Sequence, residues 1–372
     1  MCLHLDLLES ALKSVRQLKS VAMNHPKGRW KRVVTIGLMC LVAVTAVDFW
    51  VASAQAQGSA KGVAPARYSA AASRLRKARL AQAEAAARAR AAQPTQPRVK
   101  IDAQGDVVPD VHAAASIIYN PATNKVLWEE KAFDQRSIAS ITKVMTALCF
   151  LEEAPDMAQQ VIITSADIRG ASVTHLRAME KVSLQNLLHL MLISSDNAAA
   201  RAIARVSPYG GAGFVVRMNQ KAAELGLTST SYADSSGLLA ENVSSAYDMA
   251  RLIAYAADDA LLSTIMRTEA YSFRTNKRAL TIHSTNQLLR STGVDVRGGK
   301  TGFIAQAGYC LVALLRLPDL DQTVAVVVLG ARSNASRFSE TRNLLSWATS
   351  KAQSLLGGHP GLPHGPASDL PH

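Results

Sequence analysis

The chain has 372 residues, 48% of them hydrophobic, and a formal net charge of +13. That length and apolar content support one large domain or two ordinary ones with a substantial core. Lys and Arg outnumber Asp and Glu by 7 to 3 in residues 1–56 and by 10 to 1 in residues 57–100, but balance at 24 to 24 in residues 101–372. The basic excess therefore lies ahead of a neutral domain, which excludes a nucleic-acid-binding role for that domain.

At the N-terminus, Lys27, Arg29, Lys31 and Arg32 precede an apolar run from Val33 to Val47, followed by "ASAQAQ" at Ala52–Gln57. A charged segment, a short hydrophobic segment and an Ala-x-Ala site together predict a secretory signal over residues 1–56. An uncleaved membrane anchor is the alternative, although a spanning helix wants about 20 apolar residues and Asp48 ends this run early. Residues 1–22 lie upstream of a signal that begins at Met23, as a misassigned start site would leave them. Residues 57–111 are rich in Ala and Arg and poor in core-forming residues, and read as a solvated basic linker closed by Pro94 and Pro97. It is either a plain spacer or a loose electrostatic tether to an anionic envelope surface. An exported, periplasmic or envelope location follows from the signal.

The domain proper is placed at residues 112–352. "AAASIIY" and "KVLWEE" flank the turn "NPATN" and predict a hairpin. A helix is expected from Ser140 to about Glu152, apolar almost all round and hence buried. Further helices are expected at about 184–191, 196–206, 212–225 and 245–257. "GYCLVALLRL" and "TVAVVVLGA", split by "PDLDQ", read as two buried strands, and a last helix covers about 336–355. Strands at both ends with helices between them predict an α/β domain of the α+β type: one antiparallel sheet joined by the two chain ends, with an inserted helical lobe. The Pro/Gly-rich tail, 353–372, reads as disordered. Of the four cysteines, Cys149 and Cys310 fall in apolar runs and are expected to be buried free thiols. No H-E-x-x-H or Cys-x-x-Cys occurs, so neither a metal nor another cofactor is expected.

The stretch "VRGGKTGF", Val296 to Phe303, is built to hold an anion. A P-loop would need a glycine at position 294, which is Val294; Gly293 is one place too early, and the following chain is strand-like. A carboxylate is the better fit. On a strand, Lys300 and Gly302 share one face. Lys300 supplies charge, Thr301 a hydroxyl at the rim, and Gly302 the room for substrate to lie along the backbone. "SIASITKVMTA" places Ser140 and Lys143 one turn apart on a helix. At the helix start the dipole favours an anion developing on Ser140. Lys143 can act as a base if burial and nearby Lys300 depress its pKa. "LISSDNAAARAIA" offers Ser195, Asp196 and Asn197 ahead of a helix, as a cap or as a proton relay and an amide donor. Each motif is common alone: Ser10-x-x-Lys13 and Ser284-Thr285-Asn286 match the same short patterns.

Their order and spacing are not common. S-x-x-K, S-D-N and K-T-G begin 55 and 105 residues apart. With "IASITKVMTAL", "GLLAENVSSAYDMARL" and "GGKTGFIAQAGYCLV", the chain over about residues 112–350 resembles the low-molecular-mass penicillin-binding proteins of the D-alanyl-D-alanine peptidase type, within the penicillin-recognising serine acyl-transferases. The resemblance implies a β-lactamase/transpeptidase-like fold, peptidoglycan peptides as substrates and β-lactams as covalent inhibitors. It makes Ser140 the nucleophile, Lys143 its base and Ser195 a proton relay. Asn197 would hold the substrate amide, and Lys300, Thr301 and Gly302 the carboxylate edge, with the oxyanion between the N–H groups of Ser140 and Phe303. No E-x-x-L-N follows Asn197, which argues against a β-lactamase, and only 70 residues follow Gly302. The single-domain endopeptidase type, cutting cross-links, is therefore expected. A carboxypeptidase acting on uncross-linked stems and a catalytically weak binding module are the alternatives. His175, His189 and His283, Tyr119 and Trp128, Arg297, and Asp234, Tyr247 and Asp248 are given no catalytic role.

Overall fold

In the computed structural model the described residues are 81–82, 97–318 and 321–356. A small hairpin pairs β1 (Val99–Ile101) with β2 (Val107–Pro109). The main sheet starts with β3 (Ala115–Asn120) and β4 (Lys125–Glu130). Strand β5 (Arg136–Ser137) leads into a 3-10 turn (Ala139–Thr142) and helix α1 (Lys143–Leu151). The inserted region then runs through β6 (Gln160–Ile162), α2 (Ser165–Ile168), β7 (Lys181–Ser183), α3 (Leu184–Ile193), α4 (Asn197–Val206) and α5 (Gly210–Glu224). It continues with β8 (Val243–Ser244), α6 (Ala246–Asp258), α7 (Ala260–Met266), β9 (Ala270–Arg274) and β10 (Ala279–His283). The chain returns to the sheet with β11 (Asp295–Ile304), β12 (Gly308–Arg316) and β13 (Thr323–Ala331), and α8 (Asn334–Leu356) closes it.

The five-stranded sheet is antiparallel throughout, in the order β11-β12-β13-β3-β4. Its two sequence ends meet where Ala325 faces Tyr119 and Leu329 faces Ala115. Alternation along β12 sends Cys310, Val312 and Leu314 into one core with α1, α3, α4 and α6, and Leu311, Ala313 and Leu315 into a second core with Phe338, Leu344 and Trp347 of α8. A strand covered on both faces has to be apolar at every position, which is why "GYCLVALLRL" and "TVAVVVLGA" read as unbroken runs. Helix α1 is buried on all sides, as its encircling apolar residues predict, and both Cys149 and Cys310 are free and buried.

The linker expected at 57–111 ends earlier than composition suggests. Its last part folds as the β1–β2 hairpin, turned by Asp102, whose carboxylate accepts from Gln104 N and Asp106 N. The hairpin docks on α8: Arg98 pairs with Glu340 at 2.9 Å, Asn343 Nδ2 donates to the carbonyls of Arg98 and Asp110, and Trp347 Nε1 donates to Val107 O. Only three residues per strand alternate here, too few to stand out beside the Ala/Arg tract. Helix α8 also runs past 352, to Leu356. The predicted signal, most of the linker and residues 357–372 lie outside the described residues. The short strands β6, β7, β9 and β10 and helices α2 and α7 were not anticipated. Among the described residues no helix is long and apolar enough to cross a membrane.

Candidate active site

Ser140 sits in the 3-10 turn that opens α1, and Lys143 is the first residue of the helix, buried with 0% of its surface exposed. The Lys143 amine lies 2.9 Å from Ser140 Oγ, 2.6 Å from Asn197 Oδ1 and 2.5 Å from Ser236 O. Two of these partners only accept. Ser236 O is a carbonyl, and the Asn197 amide is oriented by its own Nδ2, which donates to Ala171 O at 2.6 Å. A neutral amine therefore spends both protons on them and turns its lone pair toward the Ser140 hydroxyl. Burial is the main force on this amine, opposed by Asp196 and Asp234 and aided by Arg201, and it lowers the pKa from 10.5 to about 7.

The S-D-N segment divides its work. Asp196 caps α4 by accepting from Ala199 N, and it also takes the N–H of His175. Ser195, held at a left-handed φ of 62°, accepts from Lys300 Nζ at 2.9 Å, while Asn197 faces Lys143. Lys300 is 1% exposed and donates as well to Thr301 O. Burial, then the charges of Lys143 and Arg337, push its pKa well below the ordinary lysine value. Lys300 was expected to help depress Lys143. Here burial is the main cause, the positive charge acting on Lys143 is that of Arg201, and Lys143 in turn helps to lower Lys300.

Two expectations for β11 change. Thr301 is not at the rim: it is buried, its hydroxyl 2.6 Å from that of Thr285. The room left by Gly302 is taken by the protein itself, since a Cβ there would lie 2.6 Å from Ile138 O and 3.2 Å from Ser140 N. The glycine lets the strand close on the Ser140 turn and brings the Ser140 and Phe303 peptides onto adjoining segments. The Phe303 ring is 50% exposed and stacks on Tyr309 at 4.2 Å. The three motifs thus converge on one cleft between β11, the Ser140 turn and the loop ahead of α4.

Residues 102–333 match the S11 peptidase family, described as D-alanyl-D-alanine carboxypeptidase. The chain belongs to this family. It is 34% identical over 236 residues to a D-alanyl-D-alanine endopeptidase of Haemophilus influenzae, covering 63% of this chain and 80% of that protein. It is 30% identical over 244 residues to one of Escherichia coli, covering 64% and 78%. The crystal structure of the Streptomyces K15 DD-transpeptidase superposes with a TM-score of 0.61 at 28% identity, covering 64% of this chain and 98% of that one. The protein is a serine-type DD-peptidase with the β-lactamase/transpeptidase-like fold.

This S11 peptidase also relies on residues that sequence reasoning passed over. Asp234 has its carboxylate ringed by donors: Ser236 N and Oγ, Gly237 N and Leu239 N, all within 2.7 Å, and Asn242 Nδ2 at 3.0 Å. Burial works to raise its pKa, but the hydrogen bonds from Ser236, Leu239 and Asn242 prevail and hold it below the usual carboxylate value. The loop so fixed delivers Ser236 O to Lys143. It also presses Gly237, at φ 78°, against the Ser140 turn, where a Cβ would fall 2.1 Å from Ala139 O. "DSSG" at 234–237 was the available signal, a carboxylate followed by turn residues. On the other side, buried Arg337 of α8 donates to Gly302 O at 2.9 Å and to Cys310 O, with burial lowering its pKa to about 10. His189 stacks on Tyr271, His283 is exposed, and His175 Nδ1 lies 3.4 Å from the Asp196 carboxylate. Tyr119 bonds Asn124, Trp128 packs beside the second core, Tyr247 packs on Phe133, Asp248 accepts from Thr230, and Arg297 pairs with Asp295. No group of His, Cys, Asp and Glu suited to a metal occurs among the described residues.

Proposed function

We propose that the protein is an endopeptidase that cuts D-alanyl cross-links in peptidoglycan through an acyl-enzyme on Ser140. The observation that carries this reading is the Lys143 amine, whose two acceptor-only neighbours leave its lone pair for Ser140. Neutral Lys143 takes the Ser140 proton as Oγ attacks the carbonyl of the penultimate D-alanine. The oxyanion forms between the N–H groups of Ser140 and Phe303; losing one such donor typically costs about 2.7–4 kcal/mol. Ser195 passes a proton to the leaving amine, and Asn197 holds the substrate amide. Lys300 and Thr301 take the carboxylate near the scissile bond. An arriving carboxylate favours the charged form of Lys300, and positive charge there disfavours protonation of Lys143. Water then releases the acyl group.

Curated endopeptidases match at 34% and 30% identity over 80% and 78% of their length, whereas a carboxypeptidase, DacC of Escherichia coli, matches at 34% over 62% of its length. A carboxypeptidase of Streptomyces is matched over 88% of its length but at only 27% identity, so the endopeptidases combine higher identity with a long match, which favours cross-linked substrate. We assign the N-terminal segment to export into the envelope and the basic linker to loose attraction toward anionic wall or lipid groups. Digestion of cross-linked and monomeric muropeptides side by side tests the substrate: faster release from the monomers would assign a carboxypeptidase. Mass spectrometry after penicillin treatment tests the nucleophile, with the adduct expected on the peptide carrying Ser140 and lost in Ser140→Ala.

A further inference from the structure

The sequence carries a second S-x-N, Ser284-Thr285-Asn286, that the reaction leaves unused. Its middle residue touches the cleft twice. The Thr285 N–H donates to Ile193 O at 3.1 Å, at the end of α3 and just ahead of the S-D-N loop. Its hydroxyl lies 2.6 Å from that of Thr301 on β11. The local turn is fixed as well: Asn286 N donates to Ser284 Oγ, and Asn286 Oδ1 accepts from Leu288 N. Thr285 is therefore pinned by its backbone to one wall of the cleft and by its side chain to the other.

The direction of the hydroxyl bond matters. A threonine hydroxyl has one proton to give and two lone pairs to receive with, and an ionised carboxylate only receives. If Thr301 gave its proton to Thr285, it would turn lone pairs toward an arriving carboxylate. If Thr285 gives its proton to Thr301, the Thr301 proton is left for the substrate. We infer that Thr285 is a positioning residue for carboxylate recognition, its hydroxyl donating to Thr301 so that Thr301 donates to the substrate. This rests on the proposed reading of Lys300 and Thr301 as the carboxylate site. Thr285 touches the substrate nowhere in this account; it acts through Thr301 and by tying the K-T-G strand to the S-D-N wall, across which Lys300 and Ser195 meet at 2.9 Å.

The test compares wild type, Thr285→Val, Thr285→Ala and Thr285→Ser on an N-acylated D-alanyl-D-alanine peptide and on its C-terminal amide, with Tm measured for each. Loss of a hydrogen bond that orients a donor to a charged group corresponds to roughly tenfold. Thr285→Val, and Thr285→Ala as a second hydroxyl-free variant, are expected to raise KM for the carboxylate peptide about tenfold with kcat nearly unchanged. Thr285→Ser is expected to stay within about twofold of wild type, and all four to treat the amide alike. A wild type that does not distinguish carboxylate from amide removes the carboxylate site, and this role with it. A wild type that does distinguish them, with the hydroxyl-free variants unchanged or equally impaired on both peptides, overturns the role of Thr285 alone.

Discussion

Lys143 and Lys300 are both buried amines in one cleft, with pKa values lowered by the same cause, yet their surroundings prepare them for different work. Around Lys143 every contact has a fixed direction: an oriented amide oxygen, a carbonyl held by the Asp234 loop, and the Ser140 hydroxyl. Two carboxylates, Asp196 and Asp234, moderate its desolvation and leave it near 7. Around Lys300 there are a hydroxyl, a carbonyl and the Arg337 guanidinium. An anion arriving here is drawn by Arg337 and favours the charged form of Lys300. The lesson is that burial makes either lysine a weaker acid-holder, and the neighbours decide whether it serves as base or as anion receptor.

The comparison breaks most sharply at the base. Lys143→Met is expected to lower the second-order rate of β-lactam acylation by about 10³-fold, within the usual span for a general base, as followed by stopped-flow or gel-based labelling. The same substitution has a stability signature. The folded-state pKa of Lys143 is about 7 against 10.5 for an ordinary lysine, so between those values the unfolded chain binds more protons and wild-type stability rises with pH. Denaturant titrations at several pH values should find the wild type gaining on Lys143→Met from pH 7 upward; a constant gap would mean that Lys143 is not perturbed.

Next comes the turn that presents Ser140. Gly237→Ala places a methyl group onto Ala139 O and forces a left-handed φ on alanine. An acylation loss of about 10²-fold is expected for an angstrom-scale misplacement of the reacting group, with a lowered Tm. Normal acylation by this variant would show that the Asp234 loop does not position Ser140.

A smaller effect separates the lysines by pH. Because the base must be neutral, acylation should rise about tenfold per unit as pH climbs toward 7 and level off above it; the midpoint, read from kcat/KM, should vanish in Lys143→Met but persist in Lys300→Met. The smallest effect is expected at Arg337→Met, which frees the Gly302 carbonyl behind the Phe303 N–H. A loss of about fivefold to tenfold is anticipated for one hydrogen bond, seen in kcat more than in KM.

Much of this was legible because the informative patterns are local. Ser140 and Lys143, Ser195 and Asn197, and Lys300 and Thr301 each lie within four residues of one another, and helix or strand geometry sets their relative directions. The buried strands β12 and β13 announced themselves by apolar runs that only a doubly covered strand requires. Asp234, Thr285 and Arg337 did not, because what they do depends on partners distant in sequence: Ser236 O reaches a lysine 93 residues away, and Arg337 a carbonyl 35 residues away. An aspartate in a turn and an arginine on a helix are ordinary by themselves. Gly302 was noticed for the right reason, lack of bulk, but given the wrong neighbour.

From the order of amino acids alone came the family, the sheet closed by both chain ends, and the candidate serine, lysines and neighbours on which the proposed reaction is built, since motif spacing and hydrophobic period are properties of the chain itself. Tertiary structure alone decided that Lys143 titrates near 7, that Thr301 is buried beside Thr285, and that Gly237 and Gly302 grip the Ser140 turn from two sides. Those outcomes depend on desolvation and on sub-angstrom packing between segments far apart along the backbone, quantities that exist only once the segments have met.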